Sequence, residues 1–126
     1  MKKLGLDIHG VIDKDPDMFV GIAKLVRASG HEVHIITGVS KQHVVWDQLK
    51  SYNDGEKWWD YIFSVEDWLL ENNIPKTKDE NMNWHFDDRS WNIAKGLYCR
   101  IKQISLHIDD SEIYGKYFTT SYFLYK

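Results

Sequence analysis

Short apolar runs alternate along the chain with longer stretches whose apolar residues recur at helical spacing. The first run, about residues 3 to 8, holds Leu4, Leu6 and Ile8 and predicts a strand. Asp15-Pro16 predicts a helix start, because Asp is a good N-cap and Pro is tolerated at the first helical position. Met18, Ile22, Leu25 and Val26 mark the expected buried face of that helix, and Gly30 its C-terminal cap. Residues 31 to 36 predict a second strand, running into Thr37-Gly38. A helix from about Lys41 to Lys50 carries Val44, Val45 and Leu49 and is broken at Asn53-Asp54-Gly55. Tyr61, Ile62 and Phe63 predict a third strand. Ser64 to Asp67 has capping-box spacing, so a helix through Trp68, Leu69 and Leu70 should follow, with Pro75 ending it.

Residues 76 to 83 are polar apart from Met82 and read as an exposed loop. A helix from about Ser90 to Ile101 places Trp91, Ala94, Leu97, Tyr98 and Ile101 on one face. A strand ending at Asp109, a short helix near Glu112 to Tyr117 and a strand from Tyr122 to Tyr125 complete the pattern. Strands alternating with helices predict an α/β fold. The expected form has three Rossmann-like layers: a central, mainly parallel sheet of about five strands with helices on both faces. At 126 residues, with no repeat, low-complexity tract or linker, residues 1-126 read as one domain.

Composition narrows the setting. Apolar residues are 43% and charged residues 28% of the chain, as in ordinary globular proteins. A net charge of -3 gives no general attraction to nucleic acid. Cys99 is the one cysteine, so no internal disulfide can form, and its helical setting reads as packing. Six Trp and seven Tyr are expected mainly in the core, Trp58-Trp59 among them, with stacking on a ligand as the minor option. The apolar run after Met1-Lys2-Lys3 is too short for a signal peptide, and no stretch approaches a membrane span. A reducing cytoplasm is the expected location, with no membrane partner.

Two strands end in carboxylates. Asp7 follows the first, and Asp109-Asp110 end the strand near the C-terminus. Ligands of open α/β sheets bind outside the carboxyl ends of the strands. Acids gathered there repel one another unless a hard cation lies between them. Thr37 ends the second strand, and a lysine lies in the helix before the acidic pair. A carboxylate nucleophile, a hydroxyl and an ammonium to hold the transferring group, and acids to hold Mg2+ make a phosphoryl-transfer site.

This order resembles the haloacid dehalogenase-like superfamily of phosphohydrolases. Its first motif, an apolar strand then Asp-x-Asp-Gly, reads here Asp7-Ile8-His9-Gly10. Its second, a strand ending in Thr or Ser, reads His34-Ile35-Ile36-Thr37-Gly38; its helix lysine is Lys95; its acidic pair is Asp109-Asp110. The resemblance covers nearly the whole chain, and wording such as His107-Ile108-Asp109-Asp110-Ser111 is similar to the small nucleotidase-like branch. It implies that Asp7 forms an aspartyl-phosphate. It implies that Asp7, the His9 backbone carbonyl, Asp109 and Asp110 bind Mg2+, and that Thr37, Gly38 and Lys95 hold the phosphate. Lys102 competes with Lys95 for the lysine role, with solvation of the helix end as its simpler reading.

His9 departs from the pattern. The family's phosphatases carry a second Asp there as general acid and base. Three readings stay open: a replacement acid, altered chemistry, or a catalytically impaired domain that binds Mg2+ and phosphate or a protein partner. Asp87-Asp88 reads as a helix cap, with substrate contact as the minor option. His31, His34, His43, His85 and His107 read as surface or satisfied buried groups, and Asp13 as solvated, capping or near the substrate. Too few residues separate Asp13 from the second strand for a cap domain, and at most residues 76 to 86 form a small flap. An open site suits a large phosphorylated substrate or a homo-oligomer that covers it. The substrate is read as a phosphate monoester, with a nucleotide or nucleic-acid end as candidates. A phosphoacceptor receiver domain would carry its acidic pair near the start, and a dinucleotide-binding domain would need a Gly-x-Gly-x-x-Gly loop; the chain has neither.

Overall fold

In the computed structural model, which describes residues 1–38, 42–82 and 84–126, strands and helices alternate as the apolar pattern predicts. The order is β1 (Lys3–Leu6), α1 (Pro16–Ala28), β2 (Glu32–Thr37), α2 (Gln42–Ser51), β3 (Tyr61–Ser64) and α3 (Val65–Glu71). It continues with β4 (Thr77–Lys78), β5 (Trp84–His85), α4 (Asp88–Lys102), β6 (Leu106–Asp109), α5 (Glu112–Gly115) and β7 (Ser121–Leu124). Lys41 and Asn83, included in two of the expected segments, lie outside the described residues.

Five strands form one parallel sheet in the order β3-β2-β1-β6-β7. The chain lays β2 and β3 on one side of β1, then crosses to lay β6 and β7 on the other. The switch point therefore falls between β1 and β6, and ligands of open α/β sheets bind beyond the carboxyl ends of the strands at such a point. Successive side chains of a strand face opposite ways, so the sheet buries two cores. Leu4, Leu6, Val33 and Ile35 join Phe19, Val20 and Ala23 of α1, Val45 and Leu49 of α2, and Trp58-Trp59 on one face. Ile36 and Phe63 join Val65 and Leu69 of α3 and Ala94 and Cys99 of α4 on the other. These are the three layers expected, with Cys99 and both tryptophans in packing roles.

Several local expectations need correction. The buried stripe of α1 is Phe19, Val20 and Ala23; Met18, Ile22 and Leu25 are exposed, and only Val26 of the expected face packs on the core. Two apolar stripes adjoin on this helix, and periodicity alone does not say which faces the sheet. The outer stripe contributes Met18 and Ile22 to an open apolar trough with Leu106, Ile108 and Phe123. Val44, Leu70 and Ile101 are likewise exposed. Asp15 precedes α1 without a side-chain cap; its carboxylate instead accepts the hydroxyl of Tyr125. α3 stops before Pro75, because Asn73 takes a left-handed φ of 58°. Ser64 caps α3 as expected, but the Asp67 carboxylate turns outward and accepts the backbone N–H of Gln42 at the start of α2. The stretch 76–83 is not wholly loop, since Thr77-Lys78 pair with Trp84-His85 in a small antiparallel hairpin. β1 ends two residues early, where the chain turns sharply. Among the described residues, no helix is long and apolar enough to cross a membrane.

One glycine is set by close approach. A Cβ on Gly5, at the centre of β1, would lie 2.7 Å from His107 Nδ1 and 2.9 Å from Ile36 Cδ1. Gly5→Ala is therefore expected to lower stability by roughly 1–3 kcal/mol through overpacking. Equilibrium urea unfolding measures it, and an unchanged midpoint would show that this part of the sheet yields freely.

Candidate functional site

Asp7 lies just past the last residue of β1, and its backbone N–H donates to the Ile108 carbonyl of β6 at 3.0 Å. This bond joins the two central strands at their carboxyl ends. Asp7 is two residues beyond Gly5, and Asp109 two beyond His107. The period of two carries the orientation from one residue of each pair to the other. Lys95 comes to them from the buried face of α4, midway along the helix, whose start Asp87 caps by accepting the Ser90 N–H at 3.0 Å. Its ammonium donates to Asp7 Oδ1 at 3.0 Å and to Asp109 Oδ2 at 2.7 Å. All three are nearly sealed from water: Asp7 is 4% exposed, Lys95 2% and Asp109 0%.

Around this ion cluster stands a set of polar and aromatic supports. Asp109 Oδ2 also accepts from His107 Nε2 at 3.0 Å, and its Oδ1 from the Ser111 N–H at 3.1 Å. The Lys95 ammonium lies 4.8 Å from the centre of the Tyr114 ring. The Tyr114 hydroxyl accepts the Trp91 indole N–H at 2.9 Å, and the Trp91 ring stands against Gly38. Gly38 is thereby linked to the lysine through two aromatic side chains. Thr37 ends β2 at the same sheet edge. It is fully buried, and its Oγ1 has no hydrogen-bond partner among the described residues.

The charges are unbalanced. Burial raises the Asp7 carboxyl to about 7; the Lys95 charge offsets this in part, and the Asp109 charge adds to it. Burial also works against ionised Asp109, but the His107 hydrogen bond and the Lys95 charge outweigh it and hold Asp109 well below the usual carboxylate range. Burial alone would lower Lys95; its two carboxylate partners raise it instead, so it is an ammonium. His107 is lowered by its complete burial, against the pull of Asp109, and is neutral near pH 7. Since ionised Asp109 only accepts, His107 Nε2 carries the proton of that bond.

The turn after Asp7 packs against a third acid, Asp110. His9 (φ −71°, ψ 124°) and Gly10 (φ 78°, ψ −1°) have the angles of the central residues of a type II turn, which requires Gly at the second position. Space imposes glycine too: a Cβ on Gly10 would lie 2.1 Å from Asp110 Oδ2. One carboxylate oxygen from each of Asp7, Asp109 and Asp110 lies within 4.8 Å of the other two. An all-oxygen donor set of this kind suits a hard cation such as Mg2+ rather than zinc, which favours nitrogen and sulfur.

Asp7, Lys95, Asp109 and Asp110 are thus brought together, with Thr37 and Gly38 on the same edge. Lys102 is exposed at the far end of α4, where its carbonyl accepts the Lys3 ammonium, so Lys95 is the lysine of the cluster. His9 does not join the acids; its ring is half exposed and its Nδ1 lies 3.4 Å from Asp13 Oδ2. His34 is buried and satisfied by Tyr98 and Glu32. His107 breaks the general expectation for the histidines. It is buried in the cluster itself with Nδ1 unpartnered, and its place two residues before Asp109 on a strand was the available signal. The chain matches no family model, no curated protein and no solved structure.

The elevated Asp7 makes stability depend on pH. Its folded pKa of about 7 exceeds the ordinary 3.8, so the folded state holds the proton more tightly. The corresponding stability is full below about pH 4, falls as pH rises, and is gone above about pH 7. Asp7→Asn removes this loss. The variant is expected to gain on the native protein between pH 4 and 7, and to exceed it at pH 8 by about 1 kcal/mol or more, the equivalent of one pKa unit. Urea unfolding across that range in the presence of EDTA measures the difference; a pH-independent difference would show that Asp7 ionises normally.

Proposed function

We propose that this chain is a Mg2+-dependent phosphohydrolase acting on a phosphate monoester through an aspartyl-phosphate on Asp7. The observation that carries this reading is the buried Lys95 ammonium shared between Asp7 and Asp109 at the switch point of a parallel sheet. Packing does not call for such a cluster, since burying ions costs several kcal/mol each before pairing and apolar side chains of similar volume often stabilise as well. Strongly displaced carboxylates in a strand-end crevice are where chemistry is expected.

In the reaction, Asp7 attacks phosphorus with one carboxylate oxygen, and the bond to the leaving oxygen breaks. Lys95 holds Asp7 in place and favours its ionised form. Thr37 Oγ1, buried without a partner among the described residues, can hydrogen-bond a phosphoryl oxygen, and the backbone at Gly38 lies beside it. Asp7, Asp109, Asp110 and the His9 backbone carbonyl would hold Mg2+, which supplies positive charge that keeps Asp7 ionised and offsets charge on the phosphoryl oxygens. His9 donates a proton to the leaving oxygen and then takes one from the water that opens the aspartyl-phosphate. The hairpin of β4 and β5 is small, so the site stays open to a nucleotide or a nucleic-acid end, or is closed by a second copy of the chain. A cytoplasmic setting, where Mg2+ and phosphate esters abound, fits this chemistry.

One observation favours a second reading, a domain that binds Mg2+ and phosphate or a protein partner without turnover: the His9 ring faces Asp13 and not the acids. Phosphate release from p-nitrophenyl phosphate and a nucleotide panel, with Mg2+ or EDTA, separates the two. Mg2+-dependent release is expected, with Asp7→Asn lowering it by at least about 10³, since the nucleophile itself is removed. Mg2+ binding with no release by the native protein, and release gained in His9→Asp, would establish the non-catalytic reading.

A further inference from the structure

Of the three readings open for Asp13, solvated, capping or near the substrate, its contacts with Gly10 and His9 bear on the last. The turn that carries His9 is rigidly built. Ile12 N–H reaches the Asp7 carbonyl at 3.4 Å and Asp13 N–H the Ile8 carbonyl at 3.0 Å, which closes the loop onto the nucleophile's own backbone. The left-handed Gly10 at its centre is backed by Asp110. His9 is therefore fixed two peptide units from Asp7, with only its side chain left to orient.

Asp13 divides its two oxygens between these tasks. Oδ1 accepts the Gly10 backbone N–H at 2.8 Å and holds the turn. Oδ2 faces His9 Nδ1 at 3.4 Å. A carboxylate only accepts, so the tautomer it favours has the proton on Nδ1, and Nε2 is the nitrogen left for exchange with a ligand. His9 Nε2 has no hydrogen bond or ion pair with any described residue. The general pattern is a reacting group oriented by a base that a third, acidic group orients in turn.

We infer that Asp13 is a positioning residue for His9: it holds the imidazole by Nδ1 so that Nε2 delivers the proton to the leaving oxygen. This rests on the phosphohydrolase reading and deepens it. It also gives a physical account of a histidine where the resembled family has an acid. An imidazole needs an acceptor on one nitrogen to fix which of the two carries the exchangeable proton, and Asp13 Oδ2, at ion-pair distance from Nδ1, is the acceptor within reach. In the imidazolium both nitrogens carry a proton; the one on Nε2 passes to the departing oxygen, which keeps the electron pair of the broken phosphorus–oxygen bond, and the neutral Nδ1–H ring remains. Nε2 then takes a proton from the water that attacks phosphorus, the bond from phosphorus to Asp7 breaks with its electron pair returning to the carboxylate, and the imidazolium is restored.

The test uses Asp13→Asn, which keeps an oxygen for the Gly10 N–H but removes the carboxylate at His9. The readout is kcat/KM for two esters, p-nitrophenyl phosphate and ethyl phosphate. A nitrophenolate departs with little help, whereas an alkoxide needs its proton, a difference typically worth about 10² to 10⁴ in rate. Asp13→Asn is expected to lower kcat/KM for ethyl phosphate at least about tenfold more than for p-nitrophenyl phosphate, a portion of that range. The gap should vanish when Asp13→Asn is made in a His9→Asp background, because the ring it positions is gone. An equal loss on both esters, or the same gap in the His9→Asp background, would show that Asp13 only supports the turn and would overturn the inference alone. No release of either ester by the native protein or by His9→Asp would overturn it together with the phosphohydrolase reading.

Discussion

A single ammonium shared by two carboxylates governs this structure. Lys95 is the only element of α4 that reaches Asp7 of the β1 edge and Asp109 of β6 at once, at 3.0 and 2.7 Å. It ties the helix layer to the two central strands at the point where the chain reverses direction across the sheet. Removing the lysine would leave two buried anions uncompensated, and removing either acid would leave the other to carry the cation. Everything else at this edge is arranged around the cluster. His107 and Ser111 complete the partners of Asp109, the Tyr114 ring covers the ammonium, and Gly5 leaves room for the His107 ring.

The strand topology explains why the cluster forms where it does. β1 and β6 are neighbours in space but stand about 100 residues apart in sequence, so the pairing of their ends is a long-range contact that the fold as a whole must bring about. Their parallel register sets Gly5 against His107, and the next inward positions are Asp7 and Asp109. The same alternation that builds two apolar cores thus places two carboxylates on the α4 side at the sheet edge. The fold creates the charge problem, and α4 supplies one cation to answer it.

Much of this was legible in the chain. The five strands, their order of appearance and the four longer helices follow from apolar runs and caps, and Asp7, Lys95 and the Asp109-Asp110 pair follow from their place relative to those runs. What the sequence hid has a common cause: it depends on which of two adjacent faces turns inward. Met18, Ile22 and Leu25 look as buried as Phe19, Val20 and Ala23 until the sheet fixes the rotation of α1. Asp15 and Asp67 sit at cap positions, yet their carboxylates serve Tyr125 and Gln42, partners far away in sequence or on another helix. His107 reads like the other histidines in sequence, because its partner Asp109, and Lys95 beyond it, come together only in three dimensions. The hairpin of β4 and β5 has a separate cause: strands of two residues are too short to carry an apolar alternation that can be read.

The balance of charge at the edge bears directly on the proposed chemistry. Asp7, Asp109 and Asp110 bring three carboxyl groups, and among the described residues Lys95 brings the one ammonium bonded to any of them. That shortage, together with burial, is what keeps the Asp7 proton on until about pH 7. A phosphate ester brought to the same crevice would add up to two further negative charges. Lys95 has a carboxylate on each side, which leaves one N–H of its ammonium for a phosphoryl oxygen. In the proposed reaction a phosphoryl group at Asp7 would therefore draw on positive charge from outside the chain as well, and the oxygens of the three acids, gathered within 4.8 Å, are the donors that would hold it. In this reading the cation requirement is a consequence of how the lysine is spent on building the site, and not an accessory to it.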